Sequence, residues 1–213
     1  MPLFFDSNVI VGFCFPITDK WGPAAAAVMS TSDTKYTSNS VMEECFGDGD
    51  GGKTETVLRK LRRQINKFRT YCNRPDCELY SKQFSEQFPL IAKRIHMFKE
   101  QGKNKNEMSD TLLDEVEQAY YQSKIRLKQL NLHKRTEGYD ELYHQLESEF
   151  SNDGVKLDQD DLEIILDAHD LALTVEGVIL VTGDLKHIVA AESTIRRNTK
   201  IHDVQYLEKY TPS

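Results

Sequence analysis

Four cysteines in 213 residues cannot supply a disulfide framework. Their spacing does not suit structural zinc either: four residues separate Cys72 from Cys77, and His96 lies far along the chain, whereas a structural zinc site needs four ligands at tighter spacing. Reduced, partly buried thiols in a cytoplasmic protein are the expectation. No apolar run approaches the roughly 18–20 residues of a membrane span. The apolar N-terminus meets an acid at position 6 with no basic stretch before it, unlike a signal peptide. Excess basic charge is also missing. Lys and Arg number 27 against 34 Asp and Glu, a net charge of −7, which excludes a wholly basic nucleic-acid binder but leaves room for a local basic groove. No internal repeat is evident. What is present is a globular, rather polar composition, 39% hydrophobic and 29% charged, of a length that suits a single domain over 1–213 with an insertion at about 53–150.

Strand and helix signals divide the chain into three segments. In the first, Leu3 to Asp6 reads as a strand buried on both faces, with Asp6-Ser7-Asn8 at its C-terminal end. "WGPAAAAVMS" predicts a short helix, "KYTSNS" a second strand, and Ser38 or Ser40 caps a helix beginning "VMEECFG"; "GDGDGG" is a loop. The middle segment is expected to be helical throughout. Val57, Leu58, Leu61, Ile65 and Phe68 keep one apolar face, a break at "NRPDC" follows, and Phe84 to Phe98 form a helix reset at Pro89. "GKNKNEMSD" reads as a loop, 112–132 as a long helix and 139–150 as another. In the last segment "LDQDDLEIILDAHDLALTVEG" is a helix closed by Gly177. "VILVTGD" is a buried strand, "LKHIVAAEST" a helix and "KIHDV" a short strand. Strand–helix units bracketing a helical insert predict an α/β fold with three layers, helices on both sides of a mainly parallel sheet.

Parallel sheets place their sites beyond the carboxyl ends of the strands. Two predicted strands end in acid, at Asp6 and at Asp184. A helix N-cap or a turn carboxylate is the commoner use of such an Asp, but two of them at expected strand ends point to a shared cleft. On the acidic helix, Asp161 falls on the same face as Ile164, Ile165, Ala168 and Ala172, whereas Asp167 and Asp170 fall on the wetter side and are expected in solvent. His169 reads as a packed or surface histidine. In "TSNSVMEECFG", Glu43 and Glu44 lie 100° apart, so only one of them faces the sheet.

Taken in order, "FFDSNVIV", "TSNSVMEECFG", "DLEIILDAHDLAL" and "VILVTGD" resemble the PIN-domain nucleases, over roughly 3–47 and 155–205. The resemblance implies a site of Asp6, Glu44, Asp161 and Asp184, with Asn8 and Thr182 in support. Glu44 is preferred to Glu43 because it directly precedes "CFG". Asp167 remains an alternative to Asp161, since "DAHDLA" is similar to a variant of the same motif. The insert does not match the small toxin members of that family. Hydrolysis of single-stranded RNA is the implied activity, with a homodimer or an inhibitory partner protein as the implied associations.

Several carboxylates in one cleft cannot all ionise without a counter-charge. Mg²⁺ or Mn²⁺ suits such oxygen ligands, with Asp6, Asp161 and Asp184 as the expected metal-binding set. An acidic site must also attract a polyanion. Residues 53–69 carry seven basic residues and one acid, and 141–170 carry ten acids and one Lys. Arg59, Lys60, Arg62, Arg63, Lys67 and Arg69 are the candidate RNA contacts, with Arg74, Lys82, Lys93, Arg94, Lys103 and Lys105 as additions. An ordinary solvated helix is the competing reading of this run. For the whole chain, the competing readings are a non-catalytic PIN-like RNA-binding or scaffold module and a phosphatase or receiver domain using Asp6. The last lacks the second Asp of haloacid-type phosphatases and a Lys following a late strand.

Overall fold

A computed structural model describes residues 1–16, 21–47, 52–74, 77–79 and 81–210. Residues 48–51 of the expected loop at 47–52 and residues 75–76 of the expected break at 73–77 lie outside them. Among the described residues, five strands form one sheet: β1 Pro2–Phe5, β2 Thr34–Ser38, β3 Asn131–His133, β4 Ile179–Thr182 and β5 Asp203–Tyr206. Their order is β3-β2-β1-β4-β5, and every pairing is parallel. The helices cover the sheet in a three-layer α/β architecture. β1 and β4 occupy the centre and are apolar at nearly every position, as burial on both faces requires.

Directly after β1 comes α1 Ser7–Cys14, buried on almost every side despite its β-branched residues. A helix apolar all round belongs in an interior, and α1 packs there against α2 Gly22–Met29, α3 Asn39–Phe46, α4 Lys53–Cys72 and α7 Lys105–Leu127. Ser38 caps α3 by accepting from the Val41 amide at 3.2 Å. In α4, Leu58, Leu61, Ile65, Phe68 and Cys72 are buried at alternating spacings of three and four. Pro89 separates α5 Lys82–Gln87 from α6 Ala92–Glu100, as the sequence predicts. Two further helices, α8 Asp140–Asn152 and α9 Gln159–Thr174, pack on each other, and α8 also contacts α10 Glu192–Asn198.

Three expectations fail locally. "KNEMSD" is the start of α7 rather than a loop, because Asn104 and Glu107 form a reciprocal capping box. The helix expected over 112–132 ends at Leu127, and Asn131–His133 leaves it to become the edge strand β3. The segment at 53–150 is therefore not wholly helical. Finally, 185–191 form turns, and the helix begins only at Glu192.

Candidate metal centre

β1 and β4 are register neighbours, with Phe5 opposite Val181, so Asp6 and the Thr182-Gly183-Asp184 turn leave the sheet side by side. The Asp6 amide donates to the Val181 carbonyl at 3.2 Å. Asp6 is the N-cap residue of α1, yet its side chain makes no capping bond. Its Oδ2 instead accepts from Thr182 Oγ1 at 2.6 Å and from Asn8 Nδ2 at 3.0 Å, and the residue is 2% exposed. Thr182 Oγ1 in turn accepts from the Asp184 amide at 2.9 Å, so one hydroxyl ties the two strand ends together. Gly183 sits in a tight space, where any larger residue would push its neighbours back by a few tenths of an ångström. A Cβ would stand 3.0 Å from both the Asn8 side chain and the Trp21 ring.

Asp184 Oδ1 accepts from the amides of Lys186 and His187, which folds the turn back over the carboxylate. Its Oδ2 lies 3.0 Å from His187 Nδ1. Asp161 arrives from the first turn of α9, where Asp158 accepts from its amide at 2.9 Å and Asp161 Oδ2 accepts from the Asp158 amide at 3.4 Å. That Oδ2 is also 4.0 Å from His187 Nδ1. One ligand atom each from Asp161, Asp184 and His187 thus falls within 4.8 Å of the others. Two carboxylate oxygens and an imidazole nitrogen make a donor set suited to Mg²⁺ or Mn²⁺, with the nitrogen favouring the latter.

Burial, reinforced by the charges of Asp158, Asp184 and Asp6, pushes the Asp161 carboxyl up to about 6. The folded state therefore holds the Asp161 proton more tightly than the unfolded chain. The stabilisation this gives is complete below pH 3.8 and is lost as pH rises through about 6. With allowance for partial exposure, the loss should be about 1–2 kcal/mol in metal-free protein. Unfolding of wild type and Asp161→Asn across pH 4–7.5 checks this: the variant should lack that pH-dependent loss, and superimposable profiles would refute the assignment.

Glu44 is half-buried and Glu43 exposed. Glu44 forms an ion pair with Lys53, the first residue of α4, and Lys53 Nζ also donates to Ser7 Oγ at 3.1 Å. Burial works against the Lys53 charge, but Glu44 and the field of Asp6 hold its pKa above the ordinary lysine value.

The other acids of α9 lie elsewhere. Asp167 and Asp170 are not in solvent; they are 1% and 2% exposed. Arg135 explains the first, donating to Asp167 Oδ1 at 2.7 Å while also pairing with Glu163. Asp170 accepts from Thr136 Oγ1 at 2.6 Å, Tyr139 Oη at 2.5 Å and the Thr136 amide at 3.2 Å, and its Oδ2 is hydrogen-bonded to His133 Nε2 at 2.7 Å. Burial raises the Asp170 carboxyl, yet these donors hold it below its ordinary value. His169 is packed, accepting from the Lys200 amide at 3.0 Å. The structure thus brings Asp161 and Asp184 into one cluster, ties Asp6 to it through Thr182, and sets Glu44 beside Lys53. His187 and Lys53 were not among the expected site residues. The only sequence signals for them are a histidine three residues after Asp184 and a lysine at the head of a basic run.

No helix among the described residues is long and apolar enough to cross a membrane. No family model and no curated protein matches the chain. Among solved structures, VapBC2 from Rickettsia felis bound to a DNA fragment from its promoter aligns over 97% of this chain and 98% of that one, at 14% identity and a TM-score of 0.40.

Proposed function

We propose that the chain is a PIN-like, metal-dependent endoribonuclease that hydrolyses phosphodiester bonds of single-stranded RNA. The observation that carries this reading is the gathering of Asp6, Asp161 and Asp184 at the carboxyl ends of adjacent parallel strands, where their mutual repulsion calls for a cation. A bound Mg²⁺ or Mn²⁺ would supply an activated water and charge stabilisation at the scissile phosphate. Asp161, Asp184 and His187 would hold the ion, with Asp6 beside them. Thr182 and Asn8 both engage Oδ2 of Asp6, which orients that carboxylate. An extended single strand can bring its phosphates up to the strand-end carboxylates more readily than a stiff duplex does.

Helix α4 supports an RNA path. Lys53, Lys60 and Lys67 are exposed at seven-residue intervals, so they share one face that runs about 21 Å from the cleft. Arg63 lies close to that face. Lys53 is paired with Glu44, and Arg62 and Arg69 with Glu117 and Asp110 of α7, so the usable charge of the run is smaller than its sequence count.

The test is cleavage of a mixed-sequence single-stranded RNA by wild type and Asp6→Asn, with Mn²⁺, with Mg²⁺ and with chelator. Wild-type cleavage that needs the divalent ion and falls at least about a hundredfold in the variant is expected. Wild-type protein inert in both ions, or cleavage that survives the chelator, would sink the reading.

A further inference from the structure

Three of the chain's cysteines, Cys14, Cys45 and Cys72, are buried, and Cys77 is partly exposed. Hydrogen bonds fold the chain after α4 back onto the end of that helix. The Cys77 amide donates to the Arg74 carbonyl at 3.3 Å. Tyr71 Oη accepts from the Glu78 amide at 3.2 Å and donates to the Glu78 carbonyl at 3.3 Å. Cys77 is thus held beside Cys72, the last residue of α4, and the two thiols are hydrogen-bonded to each other. Among the described residues, no third ligand joins the two sulfurs in a metal-sized group. Cys77 also lines a cavity of about 730 Å³ whose charged walls are Lys99, Lys103 and Lys105 against one acid, Glu78. Partial exposure and positive surroundings are what make a thiol reactive. Burial, and then the Cys77 sulfur, pushes the Cys72 thiol up to about 12, so Cys72 keeps its proton while Cys77 meets the reagent.

We propose that Cys77 and Cys72 form a redox-active thiol pair that reacts with small anionic disulfides, Cys77 as the attacking sulfur and Cys72 as the resolving one. The Cys77 thiolate attacks one sulfur of the reagent. That S–S bond breaks, and one small thiolate leaves and takes a proton from water. Cys72 then gives its proton to solvent, with Lys105 favouring the thiolate, and attacks Cys77 Sγ of the mixed disulfide. The second small thiol leaves, and a Cys72–Cys77 disulfide remains. The protein gives up two electrons and two protons, and the reagent is reduced to two thiols. The three lysines draw the reagent's carboxylates to Cys77. Oxidation ties the end of α4, the helix with the basic run, to the segment that leads into α5. None of this depends on the nuclease reading.

The experiment incubates the reduced full chain with oxidised glutathione, an anionic disulfide, and in parallel with cystamine, a cationic one. Peptide mass mapping locates the products. Wild type should end with a Cys72–Cys77 disulfide and with Cys14 and Cys45 still reduced. Cys72→Ser should stop with glutathione on Cys77, and Cys77→Ser should stay unmodified. Replacing Lys99, Lys103 and Lys105 with Gln should slow oxidised glutathione about tenfold at low salt and should not slow cystamine. Wild type that keeps all its thiols free, or that holds glutathione on Cys77 without forming the internal disulfide, would overturn the proposal. So would a Cys77→Ser protein modified as fast as wild type, or a lysine variant with unchanged rates for both reagents.

Discussion

Asp184→Asn is expected to lower divalent-dependent RNA cleavage by about two to three orders of magnitude. The substitution removes the negative charge that faces His187 Nδ1 and Asp161. It leaves the turn intact, because an Asn Oδ1 still accepts from the Lys186 and His187 amides. RNA affinity measured without metal should hold or rise, since a repulsive charge has gone. Replacing Lys60, Arg63 and Lys67 with Ala should act in the opposite sense. Three lost phosphate contacts would flatten the salt dependence of binding by roughly 2 on the log–log scale, while a short substrate at saturation is still cut. Single-turnover cleavage and titrations at several salt concentrations separate the two. If the Asp184→Asn protein cuts at the wild-type rate, the cluster is not the reactive centre. If the triple variant keeps its affinity and slope, α4 is only a solvated helix.

Asp170→Ala should cost about 3–5 kcal/mol of folding free energy. Four groups that point at this carboxylate, on His133, Tyr139 and twice on Thr136, would lose their acceptor in a nearly water-free setting. At about 2–4 °C per kcal/mol for a chain of this size, the melting temperature falls by roughly 6–20 °C. Asp170→Asn keeps one acceptor and should fall between. Asp170 also has a pH dependence opposite to that of Asp161. Its folded-state pKa is depressed, so its stabilisation is present above the ordinary Asp range and is lost as pH falls through the lowered value. Urea unfolding of the three proteins at neutral pH is the measurement. A loss under about 1 kcal/mol for Asp170→Ala would mean that the network contributes little.

The central strands were legible because burial on both faces leaves a continuous apolar signature, as in "PLFF" and "VILVT". Helix α4 was legible from its three–four spacing and the α5–α6 break from Pro89. β3 was not. It has three residues, two of them exposed, and its only reason to be extended is that Tyr36, Thr37 and Ser38 offer it an edge almost a hundred residues away. The helix expected at 185–191 had the right composition, but the Asp184 carboxylate gathers the following amides into turns. Helical phase put Asp167 and Asp170 in water because their partners come from the missed strand, which supplies His133, and from the segment after it, which supplies Arg135, Thr136 and Tyr139. Strand-end acids could be named from spacing alone. His187 and Lys53 could not, since a histidine after a turn and a lysine in a basic run carry no mark of what they face.

The central pairing of β1 with β4 has a consequence for the chain as it is made. Residue 6 leaves the ribosome well before its neighbours Thr182 and Asp184, which follow the largely helical middle. Closing so long a loop is costly in entropy and slow, so the middle helices have time to form beforehand. Until β4 slots in beside β1, Asp6 lacks the Thr182 hydroxyl that orients it, and neither Asp184 nor His187 is at hand. A nascent chain of this design carries its acids in separate pieces, and the cluster comes into being only once β4 and the turn after it have been made.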